Sequence, residues 1–374
     1  MTRSEWPGAA FITGALLLSC CSAPAPGKGA KAQRPTPAAT APASPAPTAQ
    51  ATPAQTVVPT IAPTHSPEGL AINAAAPGPA LNALQTRNLL VRAEVLLDRA
   101  HFSPGVIDGR AGSNLQKAVV AFQQARGLAT DATITPALWQ ALTGVDAQPV
   151  MTDYVITEDD VKGPFVASIP KDFKAMSELK ATAYSGPLEL LSEKFHMDQT
   201  LLTALNPGVD FNKAGSTIVV TALGPQDLPL KIERVEVDKS LGQLRAYGPG
   251  GFLAAAFPAT VGSEERPAPD GELTVEAIVK NPNYSYDPKR LTFGHRKEGP
   301  LIIQPGPNNP VGSVWIALSK ATYGIHGAPD PAQVGKVASH GCVRLTNWDA
   351  RELAAALAKG VQVVFMGAAT AKRA

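Results

Sequence analysis

The chain has 374 residues, 33 lysines and arginines against 31 acidic residues, and a formal charge of +2. That length exceeds one ordinary domain, and so balanced a charge excludes the broad cationic field of a nucleic-acid binder, so no nucleic-acid partner is expected. Charged residues are only 17% of the chain while prolines number 35, a composition that predicts an unstructured portion.

Residues 1–19 read as an export signal: Arg3 leads, an apolar run follows from Ala9 to Leu18, and small residues close it. The run is too short to span a bilayer as a helix. Its end, "LLSCC", resembles the lipobox of bacterial lipoproteins. The resemblance implies cleavage before Cys20, attachment of a diacylglycerol to its sulfur, and membrane association through that lipid. An ordinary cleaved signal, in which both cysteines do nothing, is the alternative. The implied location is exported and on the periplasmic side. If the cell is Gram-negative, the outer membrane is favoured, because Cys21 is not the aspartate that retains some lipoproteins in the inner membrane.

Residues 20–80 form a Pro/Ala/Thr-rich stretch; Ser22 to Pro79 holds 13 of the 35 prolines and no aromatic residue. Nothing there offsets the ordering entropy of a fold, so a linker is expected. Residues 81–145 change character. "ALQTRNLLVRAEVLLDRA" has the apolar spacing of a helix and "FSPGVIDGRAG" is a turn-rich loop. "NLQKAVVAFQQARG" sets Leu115, Ala118, Val119 and Phe122 on one helical face before Gly127. "TPALWQALTG" opens with Thr135 as N-cap and Pro136 at N1. Three short helices around a small core are expected, and the "GVIDG…AVVAFQQARGL" run resembles the peptidoglycan-binding domain found beside wall enzymes. A generic helical spacer is the alternative.

Residues 151–223 suggest an opening strand near Tyr154 to Thr157, an irregular insert, two short helices, an Asn-Pro-Gly turn and a β-rich end. The order resembles a degenerate LysM module, a second glycan-binding fold. His196 on its helix is expected to have no functional role.

From 231 to 367 the pattern turns to β. "IERVEVD", "GQLRAYG", "FLAAAFPATVG", "ELTVEAIV" and "VWIAL" are short apolar strands between Gly/Pro turns; a helix, "NWDARELAAALAKG", and a last strand, "VQVVFM", close the domain. The fold class expected for the whole is multidomain α+β, with a mainly β C-terminal domain.

That domain holds Cys342, the third cysteine of the chain, in "YGIHGAPDPAQVGKVASHGCVRL". A lone cysteine in an oxidising compartment is a liability unless it does chemistry. A thiol attacks as thiolate and needs a base, and two histidines, His326 and His340, stand close in sequence. Gly327 and Gly341 clear space beside them for close approach of backbone to substrate, and amides near Cys342 suit an oxyanion. A His/His/Cys zinc site lacks an evident fourth ligand; a buried structural cysteine is the third reading.

"IHG" and "SHGCVRL", with His326 and Cys342 16 positions apart, resemble the active-site signature of the L,D-transpeptidase catalytic domain. The similarity runs from about Ile232 to Met366 and includes "VEVDKSLGQLRAY", the "APDG" turn and "GPNNPVGSVWIAL". Ala268 departs from the threonine often found in that turn. The resemblance implies Cys342 as nucleophile, His326 as general base and the Gly327 carbonyl as the group orienting His326. Ser339, His340, Gly341 and Arg344 would shape the pocket and oxyanion hole. Arg344 suits a stem-peptide carboxylate, or equally a structural bond in its loop; His295 is expected at the surface. The implied reaction is acyl transfer from a tetrapeptide-stem donor to an amine in cell wall cross-linking. It needs no metal or organic cofactor, and its partners are peptidoglycan glycan strands and stem peptides. An L,D-carboxypeptidase, an amidase and a non-catalytic wall-binding scaffold are the alternatives.

Overall fold

A computed structural model describes residues 60–263, 266–289, 299–337, 339 and 341–367. The expected signal at 1–19, Cys20, the linker up to residue 59, His295 and His340 lie outside the described residues.

The linker expectation, which ran to residue 80, is corrected at its end. Ser66 caps helix α1 (Pro67–Asn73), Pro67 stands in its first turn, and Ile72 is fully buried. The Asn73 side chain accepts from the amides of Val150 and Met151, both at 2.8 Å, and donates to the Met151 carbonyl at 3.1 Å. Thr64 and His65 also bond to Asp153, and Arg87 to Glu68, so the turn is ordered by partners far along the chain that the composition of the segment does not reveal.

Helices α2 (Ala83–Arg99), α3 (Ser113–Ala125) and α4 (Pro136–Val145) follow. Asn82 and Gln85 make a capping box on α2, and Thr135 caps α4 as its Oγ1 accepts from the Leu138 amide. Between α2 and α3 the "VIDG" loop is held by buried Glu94, whose Oε2 accepts from the amides of Asp108 and Gly109 at 3.1 and 2.8 Å. Strand β1 (Met151–Val155) opens the next segment, three residues earlier than Tyr154, because its register with a later strand starts at Met151↔Thr221. Short helices α5 (Glu158–Lys162) and α6 (Phe173–Ser177) interrupt it. Then α7 (Pro187–Lys194), α8 (Gln199–Leu205) and β2 (Thr217–Thr221) complete a β-α-α-β order in which β1 and β2 pair antiparallel.

The segments expected as separate units at 81–145 and 151–223 share one hydrophobic core. Val91, Val95, Phe122 and Leu138 pack in the same buried cluster as Leu191, Leu202, Ile218 and Val220. A segment of three short helices buries little by itself; here the second segment supplies the missing apolar surface. Arg99 ties the two in polar terms, its guanidinium donating to Asp146 and to the carbonyls of Gln148, Pro149 and Ala222.

The C-terminal strands are β3 (Arg234–Asp238), β4 (Gln243–Tyr247), β5 (Leu253–Pro258), β6 (Thr260–Val261), β7 (Gly271–Lys280), β8 (Tyr284–Tyr286), β9 (Leu301–Ile303), β10 (Val314–Leu318), β11 (Gly324–His326), β12 (Val343–Arg344) and β13 (Gln362–Met366), with α9 (Asn347–Ala356) before the last. Among the described residues, nine form one mixed sheet in the order β5-β4-β3-β13-β7-β10-β11-β12-β6, while β8 and β9 make a separate hairpin. Alternation decides the faces. Ile325 and Val343 point into the core and are fully buried, so His326 and Arg344, their neighbours in register, point to the opposite face.

The N-terminal part docks onto this sheet. Ser103 donates to the Ala256 carbonyl at 2.9 Å, and Ala256 donates to the carbonyl of His101 at 3.0 Å. His196 is buried, sits 3.2 Å from both Asp98 carboxylate oxygens, and stacks on Trp348 of α9 at 4.7 Å between ring centroids.

Candidate active site

His326, Cys342 and Arg344 line one cavity of about 800 Å³. His326 ends β11 and is only 3% exposed; Cys342 stands immediately before β12 and is partly exposed. Trp315 on β10 is the register partner of His326 and stacks on it, ring centroids 5.5 Å apart and planes 24° from parallel. Gly324 makes that stack possible, since a methyl on it would strike the Trp315 ring at 2.6 Å.

The tautomer of His326 follows from its partner. Nδ1 lies 2.6 Å from the carbonyl oxygen of Gly327, and a carbonyl only accepts, so the proton is on Nδ1 and the lone pair on Nε2. Gly327 has no room for a side chain, because a methyl there would overlap Oδ1 of Asn347. Asn347 in turn accepts from the Ser313 amide at 3.0 Å and donates to both carboxylate oxygens of Glu193, each at 3.1 Å.

Ser339 is buried; its hydroxyl donates to the Cys342 carbonyl at 2.6 Å and its amide to Gly262 O at 2.8 Å, which sets the turn before the thiol. Gly341 adopts φ +107°, a conformation that side chains resist, with the Tyr323 ring 3.3 Å from where a Cβ would sit. The thiol donates weakly to the Thr322 carbonyl at 3.7 Å.

Burial pushes the Cys342 thiol up from its ordinary value, opposed by a hydrogen bond from the Gly324 amide and by the charge of Arg344. Burial also lowers His326 to about 3, with Arg344 lowering it further and the Gly327 bond opposing. Both groups are therefore neutral at rest. Arg344 has a double effect: it favours the thiolate and disfavours the imidazolium, so it opposes a standing ion pair while stabilising negative charge at sulfur.

Among the described residues no cluster of His, Cys, Asp and Glu is arranged to hold a metal ion; His340, a member of the zinc alternative, is not among them. Several cavity residues carried no signal in the sequence. Trp315 and Thr322 lie in ordinary strand and turn patterns. Ile169, Pro170, Lys171, Phe173 and Met176 come from the insert between β1 and α7, outside the catalytic segment, yet line the same cavity. Phe173 packs on Tyr284 and Tyr286 at centroid distances of 5.6 and 5.1 Å. Backbone bonds of Thr182 to Pro305 O and from Asn308 N, 3.1 and 2.9 Å, fasten the insert to the loop before β10.

Residues 232–365 match the family described as the L,D-transpeptidase catalytic domain, YkuD, and residues 86–142 match the "Putative peptidoglycan binding domain" family. "Putative L,D-transpeptidase YkuD" of Bacillus licheniformis is 29% identical over 179 residues, 47% of this chain and 91% of that protein. "Probable L,D-transpeptidase YbiS" of Escherichia coli K12 is 29% identical over 188 residues, 48% of this chain and 60% of that protein. The solved catalytic domain of an Enterococcus faecium L,D-transpeptidase is 19% identical, with 37% of this chain and 99% of that one covered, at a TM-score of 0.28.

Proposed function

We propose, from the premise that residues 232–365 are an L,D-transpeptidase catalytic domain, that the chain is a wall enzyme in which Cys342 and His326 cross-link or remodel peptidoglycan. The observation that carries the reading is the orientation of His326: with Nδ1–H given to Gly327 O, Nε2 is the free base in the cavity that holds the thiol. Nε2 takes the thiol proton as sulfur attacks the carbonyl of the third residue of a tetrapeptide stem. The tetrahedral intermediate collapses to a thioester as the bond to terminal D-alanine breaks, and the imidazolium returns its proton to the departing amine. An acceptor amine then attacks the thioester; its proton passes to His326 and on to the sulfur, which leaves as thiol. Arg344 faces the cavity as a two-point partner for a stem carboxylate. Ser339 and Gly341 shape the turn that presents the thiol.

The remaining segments serve delivery. Residues 86–142 bring the enzyme to peptidoglycan. The β-α-α-β order at 151–221 favours reading that segment as a LysM-like glycan binder with a long insert. Lipidation at Cys20, with residues 21–59 as tether, anchors the chain at the periplasmic face of a membrane.

The test is product analysis with tetrapeptide-stem muropeptides. The wild type is expected to release D-alanine and form cross-linked products, to take up one equivalent of a carbapenem, and to lose both with Cys342→Ala. His326→Ala is expected to reduce turnover severely. Tripeptide as sole product would assign a carboxypeptidase instead. Full activity in Cys342→Ala refutes the nucleophile.

A further inference from the structure

We propose that Glu193, on α7 and outside the catalytic segment, is a positioning residue for the acyl-transfer site: through Asn347 it fixes the Gly327 peptide that orients His326. The proposal rests on the reading of His326 as the base.

The geometry is a chain of four groups. Glu193 is 3% exposed and both its carboxylate oxygens accept from Asn347 Nδ2 at 3.1 Å. Asn347 is fully buried at the first turn of α9; its Nδ2 also donates to Pro307 O at 3.1 Å, and its Oδ1 accepts from Ser313 N at 3.0 Å. Donors and acceptors are thus each engaged on the correct side. A flipped amide would set Oδ1 against the Glu193 oxygens and Pro307 O and point Nδ2 at the Ser313 amide, so the acceptors at 193 act together with Pro307 O and Ser313 N in setting which way Asn347 faces. In that orientation Oδ1 rests against the α-carbons of Gly312 and Gly327, where a methyl on either would overlap it. The Gly327 amide donates to Val314 O at 3.2 Å and its carbonyl accepts from His326 Nδ1 at 2.6 Å. Removing the acceptors at 193 takes away one of the three holds on Asn347, leaving Pro307 O and Ser313 N, and so loosens the side chain that rests against the Gly327 peptide.

The surroundings of Glu193 give the proposal a signature. Burial raises its carboxyl to about 7; Glu189 adds to this, while Asn347, Arg351 and Tyr184 oppose it. The Tyr184 hydroxyl stands 3.3 Å away, and Arg351 donates to Ser313 Oγ at 3.1 Å on the α9 side. Asp198 and Asp330 lie around a small cavity that Glu193 also lines. The carboxylate accepts from Asn347 more strongly than the carboxyl does, so kcat is expected to fall as pH drops through about 7. His326, held near 3, and Cys342, pushed above its ordinary value, do not titrate there.

The experiment uses the full-length chain with a tetrapeptide-stem muropeptide as donor, from about pH 5.5 to 8.5. Glu193→Ala should lower kcat about tenfold with KM within about twofold, as expected for a base displaced by a fraction of an ångström. Glu193→Gln, which keeps the shape and one acceptor and so mimics the protonated carboxyl, should hold kcat at the reduced level the wild type reaches below about pH 7 and show no acid limb there. A well-folded Glu193→Ala with wild-type kcat, or an unchanged acid limb in Glu193→Gln, overturns the proposal; if Glu193→Ala does not fold, the Glu193→Gln profile decides alone. Alkylation of Cys342 by iodoacetamide separates the two readings. A wild type that turns over no donor refutes the transpeptidase reading, whereas the positioning role then stands or falls on whether Glu193→Ala moves the alkylation rate toward that of His326→Ala.

Discussion

Gly327→Ala tests the support of His326 without touching any reacting group. The added methyl would overlap Oδ1 of Asn347 and lie 3.3 Å from both Asn347 Cγ and Ser313 N. The amide cannot swing aside freely, because Glu193, Pro307 and Ser313 hold it on three sides. Overpacking a filled site costs about 1–3 kcal/mol, and loss of the Ser313–Asn347 bond about 1 kcal/mol more. A total of roughly 2–4 kcal/mol should lower Tm by about 3–6 °C for a cooperative unit of about 300 residues. A shift of the Gly327 carbonyl by about 1 Å turns the imidazole with it and should lower kcat on the order of a hundredfold. Gly144→Ala is the matched control. Gly144 is exposed in α4 with nothing within 4 Å of the added methyl, so helix propensity should stabilise that variant by about 0.5–1 kcal/mol and leave kcat unchanged. Thermal unfolding followed by circular dichroism, with kcat on the same preparations, makes the comparison. A Gly327→Ala protein with wild-type Tm and kcat refutes the supporting role of this contact.

The neutral resting pair predicts a pH response that mass spectrometry of alkylated Cys342 can follow. The rate should go on rising beyond the ordinary thiol value, without an early plateau, since burial raises the thiol. His326, depressed to about 3, stays an unprotonated base at mildly acid pH. Because its folded value lies below the unfolded one, the stability His326 contributes is present above the unfolded value and is lost as pH falls from about 6.5 toward 3. Glu193, raised to about 7, slopes the other way over part of that window, so a wild-type minus His326→Gln stability difference that stays flat across it contradicts the prediction. Phe173→Ala removes the ring packed on Tyr284 and Tyr286 from the wall of the cavity. At about 0.5–1.5 kcal/mol for such contacts, KM for the stem-peptide donor should rise roughly two- to tenfold with kcat little changed; an unchanged KM would show that the insert does not meet substrate.

Much of the C-terminal fold was legible because its signals are local. The strands at 234–238, 243–247, 253–258, 271–280 and 314–318 and the helix at 347–356 lie where apolar runs are punctuated by Gly and Pro. The Thr135 cap and the burial of Leu115, Ala118, Val119 and Phe122 follow from rules that span one or two helical turns. The segment 60–80 was misread because composition averages over a window, while its order depends on Ile72 and Asn73 meeting a distant surface. That the segments 81–145 and 151–223 share one core was not legible for a related reason: local periodicity reports which face is apolar and not which partner covers it.

The site divides in the same way. Contiguous residues of "YGIHG" and "SHGCVRL" carry the proposed nucleophile, the candidate bases and the glycines, so side-chain chemistry pointed to Cys342 with His326 or His340, and the sequence resemblance chose His326 and suggested that Gly327 O holds Nδ1. What lies further off in the chain was decided only in the tertiary structure. Glu193 meets Asn347 across 154 positions, and Phe173 closes the cavity from an insert with no pattern of its own. Local periods and motifs are written in neighbouring residues, whereas a long-range contact exists only once two surfaces have folded and their shapes and hydrogen bonds are compared; no stretch of sequence contains both halves of that comparison.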